Sequence, residues 1–339
     1  MQRLLNDPDR VVDDMLDGFL RVHAESVQRC DENPRVITRT SAAQPPGKVG
    51  LVTGGGSGHE PAFLGYLGEG MLDAVAVGEV FSSPTANAFL AAIRAADQGQ
   101  GVACLFGNYA GDSMNVQMAI AMAEDEHRRV RIVKARDDIA SAPHQDAEKR
   151  HGIAGGVFML KTAGALAQQG GTLEQVIQLA DKTAQRTRSI CVGLSPCVIP
   201  AVGKPNFTIA PGTYEFGIGH HGEAGQRVAP LENAQDIARQ MVDALREDFG
   251  LQAEKGAFAM MVSGLGTTPL MEQYLMAGHI VDELTGHGAQ VWRLYVGDYV
   301  TSLDMNGLCL TLLLLDDELK RFLTLPAAPL GLGLGLASL

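Results

Sequence analysis

Aromatic side chains are few in this chain: 11 Phe, 6 Tyr and 1 Trp among 339 residues, whereas Gly reaches 40. A glycine surplus of this kind suits many tight strand-to-helix turns. Basic residues are outnumbered, 27 against 39 acidic ones, giving a net charge of -12. That balance excludes non-specific binding to nucleic acid or to an anionic membrane, both of which need a positive field. It leaves a small neutral ligand open. The cysteines are odd in number, and no two have Cys-x-x-Cys spacing. Free buried thiols in a reducing compartment are the reading adopted for Cys30, Cys104, Cys191, Cys197 and Cys309. No apolar run approaches the ~18 residues of a membrane span. The first ten residues are polar and charged, unlike a signal peptide. A soluble cytoplasmic protein is the expectation.

What is present points to an α/β protein. The length suits two domains. Residues Asp9 to Val22 carry apolar side chains at Val11, Val12, Met15, Leu16, Phe19 and Leu20, a helical spacing. Strands are predicted at Lys48–Thr53, Leu72–Val77, Gly101–Phe106 and Val130–Val133. Ser83 is the predicted N-cap of a helix with Pro84 in its first position and Ala86 to Ala96 as its body. A second helix is predicted from Met114 to Glu126, with Met114, Met118 and Met122 on its apolar face. Thr172 and Gln175 form a capping box before Val176, Ile177 and Leu179. Strands alternating with helices imply a mainly parallel sheet. Further on, strands are predicted at Ser189–Leu194, Asn206–Ile209, Ala257–Ser263, Gln290–Val296 and Cys309–Leu315, with a helix at Leu270–His279. The domain boundary is placed at 187/188, giving domains 1–187 and 188–339. The Gly/Leu-rich tail from Gly331 carries no reading.

Four motifs carry candidate chemistry. Gly54 to Pro61 (GGGSGHEP) reads as a glycine turn after a strand, either structural or a place where backbone N–H groups approach a ligand. It lacks the Gly-Lys-Ser/Thr of a P-loop and the third glycine of a dinucleotide fingerprint. His59 adds a titratable ring beside it. Gly107 to Asp112 (GNYAGD) follows the third strand, and Asp112 is either a helix cap or a carboxylate base. Both loops leave the carboxyl ends of strands, where parallel sheets bind ligands. Phe216 to Glu223 (FGIGHHGE) pairs His220 with His221. A metal reading is disfavoured, because adjacent ligands point apart and no Cys or acidic cluster at ligand spacing accompanies them. A neutral imidazole is also a nucleophile, and the glycines leave room for a small carbonyl compound. Thr301 to Asn306 reads as a polar capping turn.

Taken in order, these strings resemble one family, the substrate-binding subunit of dihydroxyacetone kinases. The resemblance also includes Gly78–Thr85 (GEVFSSPT), Gly203–Phe207 (GKPNF), Gly264–Leu270 (GLGTTPL), Thr301–Met305 (TSLDM) and Leu312–Leu319 (LLLLDDEL). It implies two α/β domains with the substrate site between them. It implies that a hydroxyketone carbonyl adds to His221 as a hemiaminal, which selects ketones over glycerol. On the same resemblance, Asp112 takes the proton of the attacking hydroxyl, His59 bonds the substrate, and Gly56, Ser57 and Gly107 line the site. No metal or nucleotide is expected on this chain. Mg-ADP or Mg-ATP belongs to a partner subunit of L type, recharged in some systems by a phosphotransferase-system phosphocarrier. A homodimer is expected.

Three departures bear on specificity. Gly107 stands where some members have Lys, His220 stands where an aliphatic residue is usual, and the tail differs. A four-carbon ketose such as erythrulose therefore remains an alternative substrate. A non-catalytic sensor that co-activates transcription, and a metal-dependent hydrolase, are alternative functions.

Overall fold

In the computed structural model, residues 2–40, 47–205, 207–250 and 255–331 are described. The chain groups into two compact units that interleave in sequence. The first holds residues up to Ala135, Phe158–Lys182 and the segment from Arg321. The second holds Arg136–Val157 and Thr183–Lys320. The sequence-based cut at 187/188 falls near the Lys182/Thr183 junction, while residues 136–157 and those from 321 lie on the other side of it.

The first unit begins with α1 (Val11–Val22), β1 (Val27–Cys30), β2 (Asn33–Arg39) and β3 (Gly50–Ser57). It continues with β4 (Gly68–Glu69), β5 (Ala74–Val80), α2 (Ala86–Ala96), β6 (Val102–Gly107), α3 (Ala110–Asp125) and β7 (Val130–Ala135). The helices α4 (Gly156–Gln168) and α5 (Leu173–Gln185) follow. Its main sheet has the order β1-β2-β5-β3-β6-β7. The four strands from β5 to β7 run parallel, and β1 and β2 add an antiparallel edge. Val36, Val52, Ala76, Phe89, Ile93, Cys104 and Val116 build the core beneath it.

The second unit contains β8 (Thr187–Ser195), β9 (Thr213–Phe216), β10 (Arg227–Pro230), α6 (Ala234–Phe249), β11 (Ala257–Gly264) and α7 (Leu270–Gly286). Then come β12 (Gln290–Gly297) and β13 (Asn306–Leu314). Helix α8 (Asp317–Thr324) and β14 (Ala328–Pro329) close the described chain, and β14 pairs with β4. The second sheet has the order β10-β9-β8-β13-β11-β12, antiparallel except for the β11–β12 pair. Met241, Leu245, Phe258, Met260, Ile280 and Leu310 fill its core. Two α/β units with a mostly parallel first sheet agree with the fold class read from sequence.

Several local readings change. The glycine run is not a turn, because β3 continues through Gly54, Gly55 and Gly56 to Ser57. An added Cβ would lie 2.5 Å from the Phe89 ring at Gly54 and 2.2 Å from the Phe63 ring at Gly55. At Gly56 it would meet the Ser82 backbone N at 2.6 Å. These glycines admit close packing rather than a bend. Helix α2 is capped by Thr85, not Ser83, and the Thr85 side chain accepts from the Ala88 N–H. Two methionines of the expected apolar face of α3 point outward, Met114 being 60% and Met118 54% exposed; Met122 is half-buried against the core, and Val116, Ala119 and Ala123 are buried. Small residues let this helix pack closely on α2, so the methionine stripe misled the periodicity. Asn206 lies outside the described residues, and 207–209 form no strand. The tail beyond Gly331 lies outside them as well. The capping box holds: Thr172 N–H donates to Gln175 Oε1 at 2.9 Å, and Gln175 N–H to Thr172 Oγ1 at 3.3 Å.

One correction concerns the cysteines. Cys191 on β8 and Cys309 on β13 are joined as a disulfide, while Cys30, Cys104 and Cys197 are free. The two residues are direct partners across the antiparallel ladder, 118 positions apart in sequence. Only that register makes them neighbours.

A buried ion cluster fastens the strands of the first unit. The carboxylate of Asp73 accepts from Lys48 Nζ at 2.5 Å, Arg39 Nη1 at 3.3 Å and the Leu51 N–H at 2.9 Å. The Asp73 backbone also bonds Arg39 and Leu51. Removing one member of such a cluster leaves uncompensated buried charge. Asp73→Ala is expected to lower stability by about 3–5 kcal/mol. Urea unfolding checks this, and an unchanged midpoint would contradict it.

Candidate functional site

In the first unit the candidates gather at the carboxyl edge of the parallel strands. Strands β3 and β6 are parallel neighbours, so Ser57 and Gly107 end at the same edge. Thr53 Oγ1 donates to the Leu105 carbonyl and ties the two strands together just before that edge. Ser57 is buried and its hydroxyl donates to the Gly78 carbonyl at 2.8 Å. Gly56, half-buried, faces the backbone of Phe81 and Ser82. The His59 ring is buried and stacks on Phe81, with centroids 5.0 Å apart and planes at 23°. Phe81 itself adopts a positive φ of 57°. The following Glu60 carboxylate accepts from the Gly58 N–H at 3.0 Å, and burial raises its pKa.

Helix α3 starts earlier than the sequence suggested, at Ala110, with Tyr109 in the cap position and no side-chain cap. Asp112 is therefore in the first turn and does not cap. A carboxylate there is favoured by the positive end of the helix dipole. Its side chain is buried, and it adds to the burial that pushes the Cys104 thiol up to about 12. Asn115 Nδ2 donates to the Pro84 carbonyl at 2.8 Å and to Ser83 Oγ at 3.2 Å, fixing α3 against the β5–α2 loop.

In the second unit, His220 and His221 lie on the loop joining β9 to β10. Glu223 organises that loop. Its Oε2 accepts from the His221 N–H at 2.9 Å, and its Oε1 lies 2.9 Å from His221 Nδ1. Burial opposes the charge on Glu223, but the His221 hydrogen bond and the ring's charge hold its pKa down at about 2. An ionised carboxylate only accepts, so Nδ1 carries a proton, and whenever the ring is uncharged its lone pair is on Nε2. Glu223 folds back because position 219 is glycine: a Cβ there would lie 2.2 Å from Glu223 Oε2. Gly225 N–H donates to Glu215 Oε1 at 2.5 Å, and Gly217 N–H to the Cys191 carbonyl at 2.7 Å.

Sequence reasoning missed several neighbours of this loop. His151 lies close enough that the charge of Glu223 raises and that of His221 lowers its pKa, while burial sets the net downward direction. Asp138, whose N–H donates to the His151 carbonyl at 3.1 Å, is buried, and burial pushes its pKa up to about 8. The charges of Asp137 and Glu223 raise it further. The cysteines dismissed as companions of the paired histidines do meet one of them, since His220 Nε2 lies 3.3 Å from Cys309 Sγ. His220 is buried, and desolvation lowers its pKa to about 3, so it stays neutral. Cys309 lies 89 positions from His220 and 118 from Cys191, which hides this group from any local motif. The turn at Thr301–Asn306 acts structurally, with Asp304 Oδ1 accepting from the Val198 N–H at 2.9 Å.

The fold and motif set are those of a dihydroxyacetone-kinase type of protein. The chain belongs to the Dak1 domain family, whose model matches residues 17–330. It is 42% identical to the dihydroxyacetone-binding subunit DhaK of a PTS-dependent dihydroxyacetone kinase 1 from Listeria innocua, over 94% of this chain and 95% of that protein. It is 36% identical to an L-erythrulose kinase from Pectobacterium atrosepticum, spanning 96% of this chain but 55% of that enzyme. The solved structure of a dihydroxyacetone kinase operon co-activator, DhaQ, superposes with a TM-score of 0.87 at 32% identity, covering 94% of this chain and 97% of that one. Among the described residues no helix is long and apolar enough to cross a membrane.

Asp138 generates a pH prediction. Its folded pKa lies above the unfolded value of 3.8, so the folded state keeps a proton that the unfolded state releases. Its contribution to stability therefore falls as pH rises from about 4 to about 8. Asp137, raised in the same direction by burial, adds to this slope. Asp138→Asn, which cannot ionise, should flatten the decline in urea-unfolding stability between pH ~5 and ~8.5. A variant with the wild-type slope would show that Asp138 ionises normally.

Proposed function

We propose that this chain is the dihydroxyacetone-binding subunit of a dihydroxyacetone kinase and that it holds the ketone covalently on His221. The observation that carries the reading is the Glu223–Nδ1 hydrogen bond of 2.9 Å, which directs the ring's lone pair to Nε2. Nε2 adds to the carbonyl carbon, the C=O electron pair moves to oxygen, and that oxygen takes up a proton. The ring passes through a positively charged form that the Glu223 carboxylate stabilises, and then gives up its Nδ1 proton. The product is a neutral hemiaminal. A hydroxyl compound without the carbonyl, such as glycerol, cannot form this bond, so selection does not rest on hydrogen bonds alone.

In this reading Asp112 takes the proton of the terminal hydroxyl as it attacks phosphorus. His59 hydrogen-bonds the substrate, and Gly56, Ser57 and Gly107 line its place. The phosphoryl group comes from Mg-ATP on a partner subunit, which leaves Mg-ADP there to be recharged or replaced, since phosphoryl transfer needs Mg²⁺ and positive groups around the moving phosphoryl. The likeness to a PTS-dependent subunit favours recharging by a phosphotransferase-system protein, and a homodimer is part of the proposal. The likeness to an erythrulose kinase supports a four-carbon ketose as the alternative substrate. The likeness to the co-activator supports a sensor as the alternative function. Retention of both His221 and Asp112 speaks for the enzyme.

A crystal soaked with dihydroxyacetone should show continuous density from the His221 ring to the carbonyl carbon. Density on His220 instead, with His221 turned away, would refute the assignment.

The second test is catalytic. With a nucleotide-bearing partner the chain should turn over, and without one, given ATP and Mg²⁺, it should not. Asp112→Asn should lose about 10²–10⁴-fold in rate while its melting temperature stays within a few degrees. Turnover that needs no partner and disappears in His221→Ala would defeat the split-kinase reading. Covalent binding without turnover, with every partner tried, would favour the sensor. Parallel assays with dihydroxyacetone and erythrulose decide the ketose.

A further inference from the structure

Beside the proposed nucleophile lies a second group of reactive side chains that the ketone chemistry does not use. Cys191 and Cys309 face each other across the β8–β13 ladder, and His220 brings Nε2 to 3.3 Å from Cys309 Sγ. One donor atom from each of the three residues lies within 4.8 Å of the others, and all three residues are buried. Two sulfurs and an imidazole nitrogen form the donor set that soft and borderline d¹⁰ ions prefer. The two cysteine backbones are fixed by pairing in central strands, and the histidine loop is tied to them at its base, where the Cys191 carbonyl accepts from Gly217 N–H.

We propose that, with its sulfurs reduced, the Cys191–Cys309–His220 group binds one thiophilic d¹⁰ cation, Zn²⁺ or Cu⁺. The disulfide and the ion are alternative states of the same two sulfurs. Reduction by a dithiol breaks the S–S bond. The dithiol leaves as a cyclic disulfide, and its two electrons and two protons produce two thiols. The ion then displaces the thiol protons to solvent. Zn²⁺ with two thiolates and a neutral imidazole makes an uncharged unit, which suits burial. Cu⁺ matches a three-donor set but leaves one negative charge. Sulfur-to-sulfur separations of about 3.8 Å follow from Zn–S bonds of ~2.3 Å, and the ladder permits this by side-chain rotation. The ion would anchor the residue immediately before His221. This inference does not depend on the proposed ketone chemistry.

The test uses the full chain, reduced with a dithiol and freed of it anaerobically, then exposed to Zn²⁺ or to Cu⁺ in separate arms. Metal is measured by mass spectrometry after gel filtration, and Co²⁺ serves as a spectroscopic probe of thiolate ligation. The expected result is about one ion per reduced chain, a cobalt–thiolate charge-transfer band, and near-zero metal in the oxidised chain. Cys191→Ser and His220→Leu should each lose the tightly held ion, and circular dichroism reports whether the variants fold. Should they not fold, the wild type alone decides, because binding must raise the melting temperature of the reduced form only. A folded, reduced wild type with no thiolate band overturns the proposal. So does metal that persists undiminished in Cys191→Ser, which assigns it to other cysteines.

Discussion

Close backbone approach, made possible by missing side chains, is the constraint on which both candidate loops depend. In β3 the Phe89 and Phe63 rings and the Ser82 backbone occupy the space where side chains of residues 54, 55 and 56 would stand. Of these, the contact at Gly56 brings in the β5–α2 loop, whose Phe81 stacks on His59. In the histidine loop the space beside position 219 is filled by the Glu223 carboxylate. A methyl group at either place would displace the groups that orient His59 and His221. Glycine costs conformational entropy in a strand, and the surrounding packing offsets that cost.

Electrostatics in the second unit follow from how deeply each carboxyl group is buried and what it meets. Glu223 meets an imidazole and two N–H groups and remains ionised. Asp138 has the Ala140 N–H but also two like charges nearby, and it holds its proton near neutrality. Asp248 is half-buried and ionised, its pKa lowered to about 2 because the hydrogen bonds of Arg150 and Arg188 outweigh desolvation. Opposite protonation states thus arise from one residue type through its burial and its partners together. A lone pair poised on His221 Nε2 is the chemical consequence that matters most for the proposed function.

Much of the fold was legible because its signals are local. The buried strand at Ala257–Ser263, the strand at Gln290–Val296, the capping box at Thr172 and the alternation of strands with helices all depend on short-range patterns. Local signals failed where packing chose between two plausible faces. The three methionines of α3 formed the larger apolar stripe, but only Met122 reaches the core, and the buried face against α2 is built from Val116, Ala119 and Ala123. The glycine run read as a turn because glycine punctuates turns more often than it lines a crowded strand.

Local pattern was enough for the two-unit α/β class, the mainly parallel first sheet and, through a set of ordered strings, membership of the family. It was also enough for the candidates His59, Asp112 and His221, since each sits in a short motif whose composition is unusual. Folding had to bring together the Glu223 carboxylate and His221 Nδ1, Asp138 and His151 beside that loop, and Cys191 and Cys309 beside His220. These are contacts between side chains brought together by strand register and by a loop folding back on itself. Register is a property of paired strands, and a chain read one residue after another carries no direct record of it.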